Sequence, residues 1–263
     1  MADLGRVCER QGRYEEAREW IERALDQVRA ISEEHPHLRT RLNALGRLTL
    51  KTNELRDSER YLREAERYCV DRWGDDHTRT AETRLYLITT LAETATEFDD
   101  LIAIARRNVA IEEAIDPEAR AYTHQLFGLG VILLKAGRLA EADSTVRVAK
   151  ERWIDDLGMD HPSIARCDVV LGKIAARLGD PKAAETFFRE ALDIYRRRLG
   201  EPHPVIASTE VHLANALMEQ GRHAEVESRL AAALPILEKA YPPGHPEIAA
   251  CHDALSRSSR LRG

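Results

Sequence analysis

The chain has 263 residues, 43% hydrophobic and 32% charged, with only 14 glycines and 10 prolines; this composition excludes disorder and favours an all-α fold. The formal net charge of -6 is the reverse of the basic footprint of nucleic-acid binders, so we expect no nucleic-acid partner. No apolar run reaches the roughly 20 residues that span a bilayer, and the N-terminus lacks a signal layout, so we expect no membrane partner and a cytoplasmic location.

A six-residue motif recurs along the chain at intervals of 41 to 43 residues. The copies begin at Gly12, Asn53, Thr96, Gly137, Gly179 and Gly221. Seven residues before each start lies the glycine column, a small residue preceded by an aliphatic one: Gly5, Gly46, Thr89, Gly130, Gly172 and Ala214. Twelve residues after each start lies the alanine column: Ala24, Ala65, Asn108, Ala149, Ala191 and Ala233. Three columns in register predict six related units, with the third, which has Thr89 and Asn108, the poorest match.

Each unit is predicted to be a pair of antiparallel helices, helix A and then helix B. In the fifth unit, helix A runs over 162–178 and helix B over 181–199, where apolar residues recur at helical spacing. Between them, Gly179 is a left-handed stop, Asp180 a cap and Pro181 a first helical residue. We expect Gly172 to remove side-chain bulk where the two helices cross.

Histidine recurs at the junctions between units. These residues are His35, His77, His161, His203 and His245. Each lies where a helix begins, so we interpret them as caps. Neighbouring junctions would lie about 20 Å apart for two helices of ordinary spacing, whereas zinc needs nitrogens within about 2.1 Å, so no metal site is expected.

Other candidate sites have structural interpretations. Cys8, Cys69, Cys167 and Cys251 lie far apart and are expected to be reduced, buried thiols. We expect Trp20, Trp73 and Trp153 to serve in packing and Arg196, Arg197 and Arg198 to form a solvated helix end. Because no nucleotide-binding, metalloprotease, hydrolase or kinase motif is present, we predict no catalytic residue, no cofactor and no enzymatic activity.

The three columns resemble those of tetratricopeptide repeats, and the 42-residue period with its Gly-x-x-His-Pro junction resembles the longer, kinesin light chain type that is common in bacterial proteins. This resemblance implies an all-α, right-handed α-solenoid of antiparallel helix pairs, forming one domain over 1–263. The first helix A begins about six residues late, so a truncated first repeat is expected. The repeats cover approximately 1–35, 36–77, 78–116, 117–161, 162–203 and 204–245, followed by a capping helix over 246–262.

The resemblance also implies a concave groove lined by helix A, at positions one and five after the glycine column and three before it. The expected partner-binding residues are Asn43, Arg47, Lys51, Tyr86, Phe127, Val131, Lys173, Arg177 and Asn215. The same positions hold Thr90, Thr94, Lys135, Val169, Val211 and Glu219. Only Asn43, Lys51 and Asn215 match the carboxylate clamp of chaperone-binding members, so a chaperone partner is not inferred. The alternative is that these cations merely solvate a helix face.

The expected function is a non-enzymatic scaffold that binds a peptide or partner domain, acidic in character, as a regulatory module of a larger bacterial signalling protein such as a Ser/Thr kinase. Two alternatives stay open. The groove could bind a small effector in a ligand-responsive regulator, or the chain could be an accessory subunit of a toxin or protease system. The oligomeric state is not fixed by the sequence.

Overall fold

The computed structural model describes residues 2–32 and 34–260, whose regular structure is entirely helical. The chain forms two compact units that divide between Thr145 and Val146, and we describe each by itself. Within the described ranges, no helix is long and apolar enough to cross a bilayer. The prediction of one domain over 1–263 stays a prediction.

The first unit contains three complete helix pairs and a fourth helix A. Its helices are α1 (Ala2–Arg10), α2 (Tyr14–Ile31), α3 (Leu38–Lys51), α4 (Leu55–Trp73), α5 (Thr78–Leu91), α6 (Asp99–Ile115) and α7 (Arg120–Lys135). Helix α8 (Leu139–Leu157) begins in this unit and ends in the second. Odd-numbered helices are the predicted A helices and even-numbered ones the B helices.

The second unit continues the same alternation. Its helices after α8 are α9 (Pro162–Arg177), α10 (Pro181–Leu199), α11 (Pro204–Glu219), α12 (His223–Ala240) and α13 (Pro246–Arg260). The predicted fold class, an all-α array of antiparallel pairs closed by a last helix A, is therefore confirmed. Positions 261 and 262 of the predicted capping helix lie outside the described residues.

Glycine-column residues lie where the A and B helices of a pair cross. A Cβ on Gly46 would lie 2.4 Å from Leu62 Cγ, and one on Gly172 would lie 2.6 Å from the Phe188 ring. These distances are far shorter than any van der Waals contact, so the crossings need a residue without a side chain. The predicted role of Gly172 is confirmed.

The alanine column is buried in both units. Ala65, Ala149 and Ala191 are fully inaccessible, and Ala24 and Ala233 nearly so. A small side chain here lets the B helix pack closely against its neighbours. The turn before α10 also follows the prediction, since Gly179 has a φ of +79° and the Asp180 side chain accepts a hydrogen bond of 2.9 Å from Ala183 N.

Four of the five junction histidines are caps, as predicted. His77, His161, His203 and His245 each precede an A helix, and the Nδ1 atom accepts a hydrogen bond from the backbone N–H two residues later at 3.1–3.2 Å. His35 accepts the same kind of bond from His37 N, but α3 begins at Leu38 and its N-cap is His37, so the prediction that His35 caps this helix is wrong. Within the described part of the chain, no three His, Cys, Asp or Glu side chains are grouped so as to hold a metal ion.

The cysteines, the tryptophans and the arginine triplet were each given a structural interpretation. All four cysteines are buried and unpaired with each other, and Trp153 is buried whereas Trp20 and Trp73 are half-buried. The arginine triplet is exposed, as expected for a solvated helix end. Arg197 and Arg198 also form ion pairs with Asp160 at 2.8 and 2.9 Å, which fastens the end of α10 to the preceding junction.

The third pair departs from the pattern, as its poor match indicated. Its helices are joined by seven residues, Ala92–Phe98, where other pairs have three. Asn108 occupies the alanine column, fully buried, and its Nδ2 donates to Ala81 O at 3.2 Å. A Cβ on Gly128 of α7 would lie 2.1 Å from Leu85 of α5, so these neighbouring A helices approach closely at a glycine outside the predicted column.

Candidate functional site

Four successive A helices of the first unit contribute to one line of side chains, which we call the A-helix row: Glu9, Arg47, Lys51, Tyr86 and His124. Lys51 Nζ donates to Glu9 Oε1 at 2.8 Å, and Arg47 Nη2 lies 3.6 Å from the same oxygen. The Arg47 guanidinium lies 5.4 Å from the centre of the Tyr86 ring, which meets the His124 ring edge-on at 5.9 Å. The row is therefore continuous from α1 to α7.

Two cations share one carboxylate at the start of the row. The Glu9 side chain is only 15% exposed. Its burial favours the neutral acid, but Lys51 and Arg47 outweigh that effect, so the pKa of Glu9 lies below its usual value. Glu9 is consequently an anion at neutral pH, and two cations, Arg47 and Lys51, lie beside it.

Tyr86 provides an aromatic surface beside the Arg47 guanidinium. The side chain is half-buried, and its hydroxyl donates to Glu82 Oε1 at 3.4 Å. Glu82 is held in turn by Arg39 at 2.6 Å. A tyrosine fixed in this way offers an apolar ring with little conformational freedom left to lose, which suits it to contact a partner.

Two predicted contact residues of the first unit lie below the surface. Asn43 is 5% exposed and its Nδ2 donates to Thr83 Oγ1 of α5 at 3.0 Å; Phe127 is 6% exposed. Val131 is half-exposed on α7, and Lys135 forms an ion pair with Glu93 at 2.8 Å. Asn43 and Phe127 therefore lie within the packing between A helices, beneath the row.

The second unit holds the remaining predicted residues. On α9, Lys173 is half-exposed and Arg177 exposed. On α11, Asn215 Oδ1 accepts a hydrogen bond of 2.5 Å from Arg257 Nη2 of α13. His212 lies close by, stacked on Phe188 at 5.7 Å; burial, with the nearby charge of Lys173, keeps its pKa well below 6.5, so this histidine is neutral.

Sequence reasoning missed Glu9, His124 and Arg257. Glu9 lies four residues after Gly5, one short of the position that the register selects, and His124 lies three residues before Phe127, the nearest selected position. Arg257 was assigned to the capping helix. A search for opposite charges spaced by one repeat would have found the 42-residue separation of Glu9 and Lys51.

The repeat identity is supported by comparison with known families. A family model described as a tetratricopeptide repeat matches residues 1–69 and 118–197, which is more than half of the chain. A second tetratricopeptide repeat model matches residues 207–247. No curated protein matches the chain.

Solved structures with the same fold include repeat proteins of the kinesin light chain type. BtubC (BKLC) from P. vanneervenii is 17% identical with a TM-score of 0.57, covering 95% of this chain and 91% of that one. A Podosopora anserina putative kinesin light chain with TPR-like repeats is 16% identical with a TM-score of 0.54, covering 78% and 97%. A Rap protein complexed with Competence and Sporulation Factor is 15% identical with a TM-score of 0.65, covering 85% and 65%. At these identities the likeness concerns the fold.

Proposed function

The chain belongs to the tetratricopeptide repeat family, whose repeats serve as protein-interaction scaffolds, and on that premise we propose that it holds a peptide segment of a partner protein against the A helices of its first unit. It acts without catalysis. The observation that carries the proposal is the A-helix row, in which half-exposed side chains from α1, α3, α5 and α7 touch one another in sequence.

The chemistry of the row favours an acidic, partly apolar segment. A partner carboxylate would lie between Arg47 and Lys51 and share them with Glu9, and a neighbouring apolar side chain would pack on Tyr86. Exposed ion pairs supply only about 0.2–1 kcal/mol each, whereas a micromolar complex needs about 8 kcal/mol. Tyr86 and Val131 must therefore contribute most of the affinity, and the charges chiefly the rate of association.

The remaining predicted residues take two different roles in this proposal. Asn43 and Phe127 support the surface from beneath by fixing the spacing of neighbouring A helices. Lys173, Arg177 and Asn215 form a second polar set on the A helices of the second unit, where Asn215 accepts a hydrogen bond from Arg257.

We place the scaffold in the cytoplasm of a bacterium, as a regulatory module of a larger signalling protein. The second candidate function is a ligand-responsive regulator. It is favoured by the fold shared with the Rap protein that is complexed with Competence and Sporulation Factor. A small effector would then occupy the same row, and the partner would be a peptide signal rather than a segment of a folded protein.

The test is capture of partners on the immobilised chain, with identification of the bound segment and measurement of its affinity as a synthetic peptide. We expect Tyr86→Ala and the double variant Arg47→Gln/Lys51→Gln each to weaken binding at least about tenfold. The matched control, Arg60→Gln/Arg63→Gln, removes two exposed charges from helix B of the same repeat and should leave the affinity within about twofold. Loss of binding in the control alone would refute the proposal.

A further inference from the structure

A cavity of about 280 Å³ lies in the second unit, between the end of α10, the start of α11 and the middle of α12. Ile206, Ala207 and Ala233 line it and are at most 4% exposed, so its floor is apolar. Ser228 and Ala232, both exposed, line its open side. The buried His203 and the charged groups at the rim also line the cavity.

The rim consists of two arginines that converge on one buried carboxylate. Glu210, whose side chain is 11% exposed, accepts a hydrogen bond from Arg229 Nη1 at 2.7 Å and a second from Arg196 Nη2. Arg196 Nε also donates to Glu201 Oε1 at 2.8 Å, but Glu201 is 56% exposed. One guanidinium charge at the cavity is thus balanced only by a solvated side chain, which a better-placed anion could displace.

The corresponding groove of the first unit, between α2 and α4, shows what fills such a space. Arg29 lies five residues after Ala24 of the alanine column, just as Arg196 lies five after Ala191. Arg29 Nη2 donates to both carboxylate oxygens of Glu64, each at 2.8 Å. Glu64 directly precedes the alanine column on the next B helix.

On α12 the position that corresponds to Glu64 is Ala232, directly before Ala233. The second unit therefore keeps the arginine of this groove and lacks the carboxylate that reaches it, together with the Cγ methylene that carries the carboxylate. Arg196 binds Glu201 and Glu210 instead. The missing carboxylate accounts for the displaceable charge, and its absence leaves one side of the cavity open.

We propose that this cavity binds a carboxylate on a short aliphatic stem. The carboxylate takes the place at Arg196 and Arg229 that Glu64 occupies at Arg29, releasing Glu201 to solvent. The stem lies on Ile206 and Ala233. The site belongs to the second unit and does not depend on the A-helix row of the proposed function. A free fatty acid and a glutamate side chain of a partner share this chemistry.

Titration of the full chain by NMR tests the proposal, with hexanoate as the free acid and acetyl-Ala-Glu-Ala-amide as the side-chain source. Hexanamide is the uncharged control. We expect saturable shifts at the amides of Ala232 and Ala233, with hexanoate or the peptide binding at least about tenfold more tightly than hexanamide. If hexanoate binds more tightly than the peptide, the ligand is a free acid. If the peptide binds more tightly, the ligand is a glutamate side chain of a partner. If neither hexanoate nor the peptide binds more tightly than hexanamide, or if neither anionic probe gives a saturable shift, the proposal is overturned.

Three variants locate the site. Ala232→Glu restores the carboxylate of the matched groove, so it should occupy the place of the ligand carboxylate at Arg196, preserve the fold and reduce hexanoate binding more than about tenfold. Ala231→Glu adds the same charge at the adjacent exposed position and should keep binding within about twofold. Arg196→Gln should weaken binding about tenfold. If Ala232→Glu and Ala231→Glu have equal effects, or if Arg196→Gln binds as the wild type does, the assignment is wrong.

Discussion

The second and third repeats of the first unit differ in their packing, yet both contribute to the A-helix row. Their A helices, α3 and α5, each have 14 residues. The second repeat has Gly46 at its helix crossing, a three-residue turn and Ala65 in the alanine column. The third has Thr89, a seven-residue connection and Asn108. The row is thus continuous across two repeats whose A and B helices are packed differently.

The difference also has an energetic consequence. Asn108 Oδ1 and, one turn later on α6, Glu112 Oε1 are buried without a hydrogen-bond partner among the described residues. Buried polar atoms in this state cost stability. The third repeat is therefore expected to be the weaker of the two, while the position of Tyr86 is kept by the contact of α5 with its neighbouring A helices.

The difference between the two repeats is tested most directly by enlarging the residue at the crossing of the A and B helices. Gly46→Leu should destabilise the protein by about 3 kcal/mol, because its Cβ would overlap the Leu62 side chain. Thr89→Leu, at the matching and half-exposed position, should cost less than about 1 kcal/mol. Chemical denaturation measures both, and similar losses would show that the two crossings are packed alike.

Substitutions that swap alanine and asparagine between the two repeats, in the alanine column, should have the next largest effect on stability. Ala65→Asn places an amide in a fully buried site and should cost about 2–3 kcal/mol. Asn108→Ala loses the bond to Ala81 O but also removes the unpartnered Oδ1, so its cost should stay below about 1 kcal/mol. Unfolding free energies that rank in the opposite order would contradict the packing described for the third repeat.

The stability of the folded protein should depend on pH through Glu112, which is 2% exposed. Burial, assisted by the charge of Glu82, raises its pKa in the folded protein. The native state therefore holds this proton more tightly than the unfolded chain does. The resulting stabilisation is complete below the unfolded pKa and is lost as pH rises through the folded pKa.

Glu112→Gln resembles the protonated acid and should therefore raise stability at pH 7 by about 1–2 kcal/mol. Near pH 4, where the wild-type residue is protonated, the gain should disappear. Thermal unfolding of the wild type and of Glu112→Gln between pH 4 and pH 7 measures this difference in stability. Glu113→Gln, on the same helix and exposed, serves as the control and should change little at either pH. A gain that persists unchanged at pH 4 would rule out titration of Glu112 as its cause.

The smallest expected effect concerns the junctions. After the third repeat, Asp116 lies in the junction, and its Oδ1 accepts a hydrogen bond from Glu118 N at 3.0 Å in the turn before α7, without capping that helix. His161→Ala should cost about 0.5–1 kcal/mol through loss of a cap. Asp116→Ala loses only a bond within a turn and should cost less, and Asp116→His, which can accept the same bond, should cost least. Melting temperatures of the three variants test this, and a large loss for Asp116→His would mean that the third junction differs from the others.

Much of the fold follows from local chemistry that a sequence displays. Gly179, Asp180 and Pro181 set the start of α10 through backbone conformation and capping, and that helix has the predicted bounds Pro181–Leu199. The histidine caps were likewise predictable, because a side-chain acceptor two residues before an N–H needs no tertiary contact.

The site was less predictable because side-chain exposure depends on how neighbouring repeats approach. The register selected Asn43 and Phe127 by position alone, and the close approach of α5 and α7 at Gly128 could not be anticipated from the columns. Glu9 was missed since its role depends on Lys51 in the next repeat. The cavity beside Ala232 was not predictable because it depends on how α12 packs against α10 and α11.

Hydrogen–deuterium exchange of the chain with and without its captured partner tests the central claim most directly. We predict that binding slows amide exchange in α3 and α5, the helices of Arg47, Lys51 and Tyr86, and leaves exchange in α4 unchanged. Slower exchange confined to α4 and the other B helices would contradict the account, because the partner would then bind the opposite side of the repeats.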